Sequence, residues 1–264
     1  MRVTFLGSGT SHGVPVIGCD CAVCHSTDSR NQRLRPSVWI QTDTTSLLID
    51  ATPDFRQQAL RARISRLDAV VLTHTHADHF LGLDDLRVFT TKQKQKLPVY
   101  GSAQAVADVR RVFEYALAEK PAYPTLPNFG LHEIRPGQDL QIGDIRLRTV
   151  EVPHGWGTVF GFVFGNEFAY LTDCNAVAPA IVESIKGVRV LALDALRQRP
   201  HPTHLTLAQA REVAEQVGAG LTLFTHMNHE TEHAATEADL PANIRLAYDG
   251  LQLEINETSF SKLA

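Results

Sequence analysis

Long apolar runs are missing from this sequence. No uninterrupted stretch approaches the roughly 20 residues that a membrane-spanning helix needs. The opening MRVTFLGSGTSHG lacks the basic stretch and apolar core of a secretory signal, and reads instead as a strand followed by a glycine turn. Cysteine is scarce: of four, three crowd into residues 19–24, too close together to staple distant parts of a fold through disulfides. Basic excess is missing too. With 25 Lys and Arg against 29 Asp and Glu, the net charge of −4 gives no general electrostatic reason to hold a polyanion. Internal repeats, low-complexity segments and long charge runs do not occur. These absences disfavour a membrane protein, a disulfide scaffold and a general nucleic-acid binder, and the expected compartment is the cytoplasm.

What is present is the composition of an ordinary soluble globular protein, 44% hydrophobic and 20% charged over 264 residues, which is enough for one layered α/β core. Short apolar runs read as strands at 3–6, 37–40, 46–49 and 67–72. Others follow at 99–100, 140–142, 145–152, 160–164, 168–171, 188–193 and 221–224. The predicted helices are 53–62, 104–118, 178–185 and 207–216, the last with Thr206 as N-cap and Gly218 past its end. The proline-rich 121–127 segment reads as a surface loop near the mouth of the active site. Clustered strands with helices in both halves suggest two sheets with helices outside them.

The chemistry concentrates in Thr73-His74-Thr75-His76-Ala77-Asp78-His79, immediately after the 67–72 strand. In an extended turn, alternate residues send His74 and His76 toward one cation. Asp78 and His79 then turn toward a second. Imidazole with carboxylate suits zinc and also admits manganese or iron. Asp50, at the end of its strand, and Asp249 in Tyr248-Asp249-Gly250 are candidates to fix histidine tautomers from behind, or are simply turn residues.

The HxHxDH pattern of residues 74–79 resembles the signature of the metallo-β-lactamase superfamily. That resemblance implies an αββα sandwich, with two mixed β-sheets and helices on the outer faces, as a single domain over 1–264. It also implies further ligands at later strand ends, and His154, Asp173 and His226 occur there in order. The implied sets are His74, His76 and His154 for one metal and Asp78, His79 and His226 for the other, with Asp173 bridging. Such a pair, manganese or zinc, traps a hydroxide at neutral pH and clamps a phosphoryl oxygen during in-line attack.

Gly18-Cys19-Asp20-Cys21-Ala22-Val23-Cys24 places three thiols in CxCxxC spacing, a donor set suited to structural zinc, which wants four closed ligands. His25 is adjacent but crowded, whereas His229, three residues beyond His226, is the better fourth ligand and would staple the 18–25 loop to the catalytic region. Cys174 stands apart and is expected to be a small buried residue. Together with the closing Thr225-His226-Met227-Asn228-His229, this cluster resembles the phosphoribosyl cyclic phosphate phosphodiesterases of the carbon–phosphorus lyase pathway, with similarity over nearly the whole chain.

The family implies a catalytic histidine at His204, placed to bind a phosphate oxygen or protonate the leaving alkoxide, with Asp78 acting beside it at the metals. His201 competes for the acid role. Arg197 and Arg199 depart from the family pattern, and are either anion-binding or surface residues. The expected function is therefore metal-dependent opening of a small cyclic phosphate, acting on a small phosphorylated substrate, with no membrane or strong nucleic-acid partner and a possible homodimer. The rivals are a lactone, thioester or β-lactam hydrolase on the same metals, a tRNA-processing nuclease, and a non-enzymatic accessory protein like the one involved with pyrroloquinoline quinone.

Overall fold

The structure is a computed structural model that describes residues 1–117, 125–256 and 259–263. The first half of the chain lays down β1 (Arg2–Gly7), β2 (Ser37–Gln41), β3 (Ser46–Ile49), β4 (Ala69–Val71), β5 (Leu97–Gly101) and β6 (Phe129–Glu133). The second half lays down β7 (Asp139–Ile142), β8 (Ile145–His154), β9 (Gly157–Phe164), β10 (Phe168–Leu171), β11 (Val190–Asp194), β12 (Leu221–Thr225) and β13 (Ile244–Leu246). A final hairpin, β14 (Gln252–Ile255) and β15 (Phe260–Lys262), returns to the first sheet beside β1. The sheet orders are β15-β14-β1-β2-β3-β4-β5-β6 and β13-β12-β11-β10-β9-β8-β7, both mixing parallel and antiparallel pairs.

Strands β3, β10 and β11 are apolar almost throughout because both of their faces are buried, whereas β8 alternates buried with exposed residues. In β1, β3, β10 and β11, alternate residues (Val3 and Phe5, Leu47 and Ile49, Phe168 and Tyr170, Val190 and Ala192) point into the layer between the sheets. Their neighbours Leu48 and Leu171 face outward, to opposite flanks. On the first sheet that flank is covered by α1 (Phe55–Ala62), α3 (Arg87–Gln93) and α4 (Ala103–Val112) through Phe55, Phe89 and Val109. The four-residue α2 (Ala77–Phe80) carries part of the 73–79 motif, and α5 (Glu114–Leu117) follows a break at Phe113. On the second sheet, α6 (Pro179–Ser184) and α7 (Leu207–Val217) supply Val182, Ala210 and Ala214. Helix α8 (His233–Ala238) sits before β13. This is the two-sheet sandwich with outer helices that the resemblance implied.

Details depart from expectation. The predicted 104–118 helix is broken at Phe113, and residues 118–124 lie outside the description, so most of the 121–127 loop does too. The first helix begins at Phe55 rather than Pro53. Asp54 caps it without a side-chain bond, because its carboxylate instead accepts from the Arg35 backbone and guanidinium. Strand β4 is shorter than the predicted 67–72 run. At α7 the expectation holds: Thr206 and Gln209 form a reciprocal capping box, and Gly218 closes the helix at φ +63°.

Candidate metal centre

The side chains of the centre come from the ends of three strands and from the turn and short helix α2 that follow β4. Those of His74, His76, His154 and Asp173 offer ligand atoms all within 4.8 Å of one another, and so do those of Asp78, His79, Asp173 and His226. Asp173 belongs to both groups. Its carboxylate lies 3.2 Å from His226 Nε2, 3.3 Å from His79 Nε2 and 3.9 Å from His74 Nε2. The seven residues come from the turn after β4 and the ends of β8, β10 and β12, so the sandwich fixes their relative positions.

The electrostatics of the cluster favour a cation. His74 Nε2, His79 Nε2 and His226 Nε2 are buried without hydrogen-bond partners, a costly arrangement unless a cation fills the gap. Burial lowers His74 well below its ordinary value. At His79 burial pulls the same way, but the Asp173, Asp78 and Asp50 carboxylates win and raise it well above. Burial pulls His226 down as well, but the Asp173, Asp78 and Asp194 carboxylates together outweigh it and raise the group to about 9. Burial favours protonation of Asp78 and Asp173, yet the facing imidazoles hold both far below the usual carboxylate range. The pocket therefore draws positive charge, and its mixed imidazole and carboxylate donors fit divalent ions such as zinc or manganese.

Groups behind the cluster fix the ring orientations. His79 Nδ1 donates to Asp50 Oδ2 at 2.7 Å, and Thr73 holds Asp50 through its backbone N–H and hydroxyl, each at 2.8 Å. His154 Nδ1 donates to the Thr203 carbonyl at 2.9 Å, which leaves Nε2 as the free donor atom. Asp249 behaves otherwise. It touches none of these histidines, and accepts instead from the Ser8 N–H and hydroxyl and the Leu34 N–H, tying the end of β1 to the following loop.

His204 lies buried against the cluster, stacked on His226 with ring centroids 4.7 Å apart and edge-on to His154 at 4.9 Å. Its Nδ1 donates to Asp194 Oδ2 at 2.8 Å, and the Cys174 N–H holds the same oxygen at 2.9 Å. Asp194 belongs to none of the sequence motifs above. The available signal was an apolar strand ending abruptly in a carboxylate, the pattern shared by Asp50. His201 sits farther out, 5.1 Å from His204, with Nδ1 accepting from Thr203.

Arg197 and Arg199 do not reach toward the centre as free cations. Arg199 pairs with Glu230 at 2.5 Å, and Arg197 reaches Glu230 at 3.7 Å while bonding the Arg199 and Pro200 carbonyls.

The cysteine loop forms a second cluster. Cys19, Cys21 and Cys24 Sγ lie 3.2, 3.5 and 3.6 Å from His229 Nδ1. The Cys24 backbone N–H lowers the Cys21 thiol to about 6, while burial pushes Cys24 up to about 11. His25 points away, 65% exposed beside Asp20. Cys174 is fully buried.

Comparison with known proteins accords with this geometry. Residues 45–227 match the family model described as a beta-lactamase superfamily domain. The crystal structure of a diphosphatase from the PhnP family superposes with a TM-score of 0.90 at 43% identity, covering 97% of this chain and 98% of that one. Zinc-bound PqqB from Methylobacterium extorquens shares the fold, with a TM-score of 0.78 at 21% identity over 96% of this chain and 100% of that one. A curated octanoyltransferase of Porphyromonas gingivalis is 40% identical over 97% of this chain, which spans only about half of that protein, 52%. The chain belongs to the metallo-β-lactamase superfamily and is PhnP-like.

Proposed function

We propose that this metallo-β-lactamase-fold hydrolase uses a dinuclear centre to cleave phosphoric diesters of small phosphorylated molecules, opening a cyclic phosphate. The observation that carries the reading is the pair of ligand groups sharing Asp173, with His204 stacked against one of them. His74, His76 and His154 would hold one ion, Asp78, His79 and His226 the other, and Asp173 both. When bound, two divalent cations supply Lewis acidity for a water nucleophile and charge neutralisation at the phosphoryl oxygens.

The chain's own residues supply orientation and a proton. Asp194 holds His204 with Nδ1–H inward, so Nε2 is the atom that faces substrate. From Nε2, His204 donates a proton to the leaving alkoxide as the ester bond breaks, and Asp194 keeps the ring turned for that transfer. Cys19, Cys21, Cys24 and His229 would hold a structural zinc that braces the segment carrying His226.

A second reading, hydrolysis of a diphosphate linkage, rests on the 43% identical diphosphatase. The test compares kcat/KM for bis(p-nitrophenyl) phosphate, a ribose cyclic phosphate and a nucleoside diphosphate, with manganese or zinc supplied. Diester turnover should vanish in His74→Ala. It should fall about 100-fold or more in kcat in His204→Ala at unchanged metal content. Turnover of the diphosphate alone would select the second reading, and turnover of a lactone alone would refute both.

A further inference from the structure

A cavity of about 350 Å³ lies along β12, from Leu221 to the level of Leu246, where the edges of the two sheets meet. Leu221 opens β12 and His226 follows its last residue, so roughly 16 Å of strand separates them. The cavity floor is apolar, built from Leu223, Leu246, Leu251 and Leu253, with Phe260 at its side. Its polar groups are Arg30, His233, Glu237, Arg245, Tyr248, Ser261 and Lys262.

Charge accounting leaves a surplus of one sign. Glu237 is answered by Arg30 at 4.0 Å and His233 at 3.8 Å, and also accepts from the Leu246 N–H. Arg30 is in turn bound to Asp28. Arg245 spends one guanidinium nitrogen on the Pro241 and Ile244 carbonyls, and Lys262 rests 5.0 Å over the Tyr248 ring. Among the described residues, no carboxylate lies within ion-pair distance of either cation. His233 is 1% exposed, lines the cavity, and has an Nδ1 without a hydrogen-bond partner. An apolar floor, two cations without a carboxylate partner among the described residues and one unsatisfied buried imidazole nitrogen together describe a receptor.

We propose that this cavity is a second binding site, for a small organic anion consisting of a carboxylate on an aliphatic or single-ring body. The body replaces water on the leucine floor, and the carboxylate lies between Arg245 and Lys262.

The probe is 4-phenylbutyrate, titrated into the zinc-loaded full chain with leucine methyl groups labelled for NMR and affinity read by calorimetry. The methyl signals of Leu221, Leu223, Leu246 and Leu253 should shift saturably. 4-Phenylbutan-1-ol should bind at least tenfold more weakly. Arg245→Gln/Lys262→Gln should weaken the carboxylate at least tenfold. Because Arg245 also holds two carbonyls, the exposed Lys262→Gln alone is measured too, with at least threefold weakening expected. Equal affinity for the alcohol, undiminished affinity in both variants, or shifts confined to signals around His154 and His204, the mark of capture by the metal centre, would each overturn the site.

Discussion

Asp50, Asp173 and His226 share a backbone conformation that L-residues seldom adopt, with φ of +60°, +52° and +61°. Each follows a buried strand, and each turns the chain sharply so that its side chain reaches the cluster. Local strain of about 1–3 kcal/mol at such positions is sustained only when the surroundings dictate it. Asp50→Asn keeps the size and the tolerance of this conformation, but removes the charged acceptor for His79 Nδ1. Metal affinity should fall about 10–100-fold in competition with a chelating dye, and unchanged affinity would detach Asp50 from the centre. Asp249 gives a prediction in pH. Burial raises its carboxyl from 3.8 to about 6, so between those values the folded chain holds a proton that the unfolded chain has released. This group's contribution to stability therefore rises as pH falls through that window, by up to about 3 kcal/mol. Measured as the difference between the parent and Asp249→Asn, stability should shift in the parent's favour from pH 7 to pH 4. A flat difference would contradict the shift.

At the scale of elements, what joins them matters as much as what forms them. The turn after α2 docks on the end of β3 through Gly82, whose N–H donates to the Ala51 carbonyl at 2.9 Å. A Cβ there would fall 1.8 Å from the Thr52 carbonyl oxygen, a rigid neighbour. Gly82→Ala should therefore destabilise the fold by about 2–3 kcal/mol in urea unfolding. A loss below about 0.5 kcal/mol, the range of an ordinary surface change, would show the turn to be free to shift. The strands of the sheet interiors were legible because their apolar runs end abruptly at polar residues. Helix α3 was not. Its RVFTTKQ sequence carries β-branched residues of weak helical preference, and it forms by packing Phe89 on Phe55, with rings 6.2 Å apart. Strands β13 and β15, of three residues each, are too short to show a period, and pairing to β12 and β14 makes them.

Across the whole molecule, the two clusters hang on one segment. Ser8 and Thr10 exchange backbone bonds with Met227, and the buried Arg33 donates to the Asn228 and Thr231 carbonyls, so the N-terminal loop clasps the chain between His226 and His229. Cys24→Ser is expected to lose about one ion per chain by metal analysis. The melting midpoint should also fall, at about 2–4 °C for each kcal/mol lost in a chain of this size. Full retention of metal would separate the loop from any structural ion. The sequence by itself determined the donor types, their order and their placement at strand ends, because ligand spacing within 73–79 and the apolar runs are local properties. Only the tertiary structure decided that Asp50 and Asp194 orient histidines while Asp249 does not, that Arg197 and Arg199 answer Glu230, and that an apolar, cation-rimmed cavity opens along β12. Those outcomes depend on which distant segments meet when two sheets stack, and no spacing along one chain encodes that meeting in readable form.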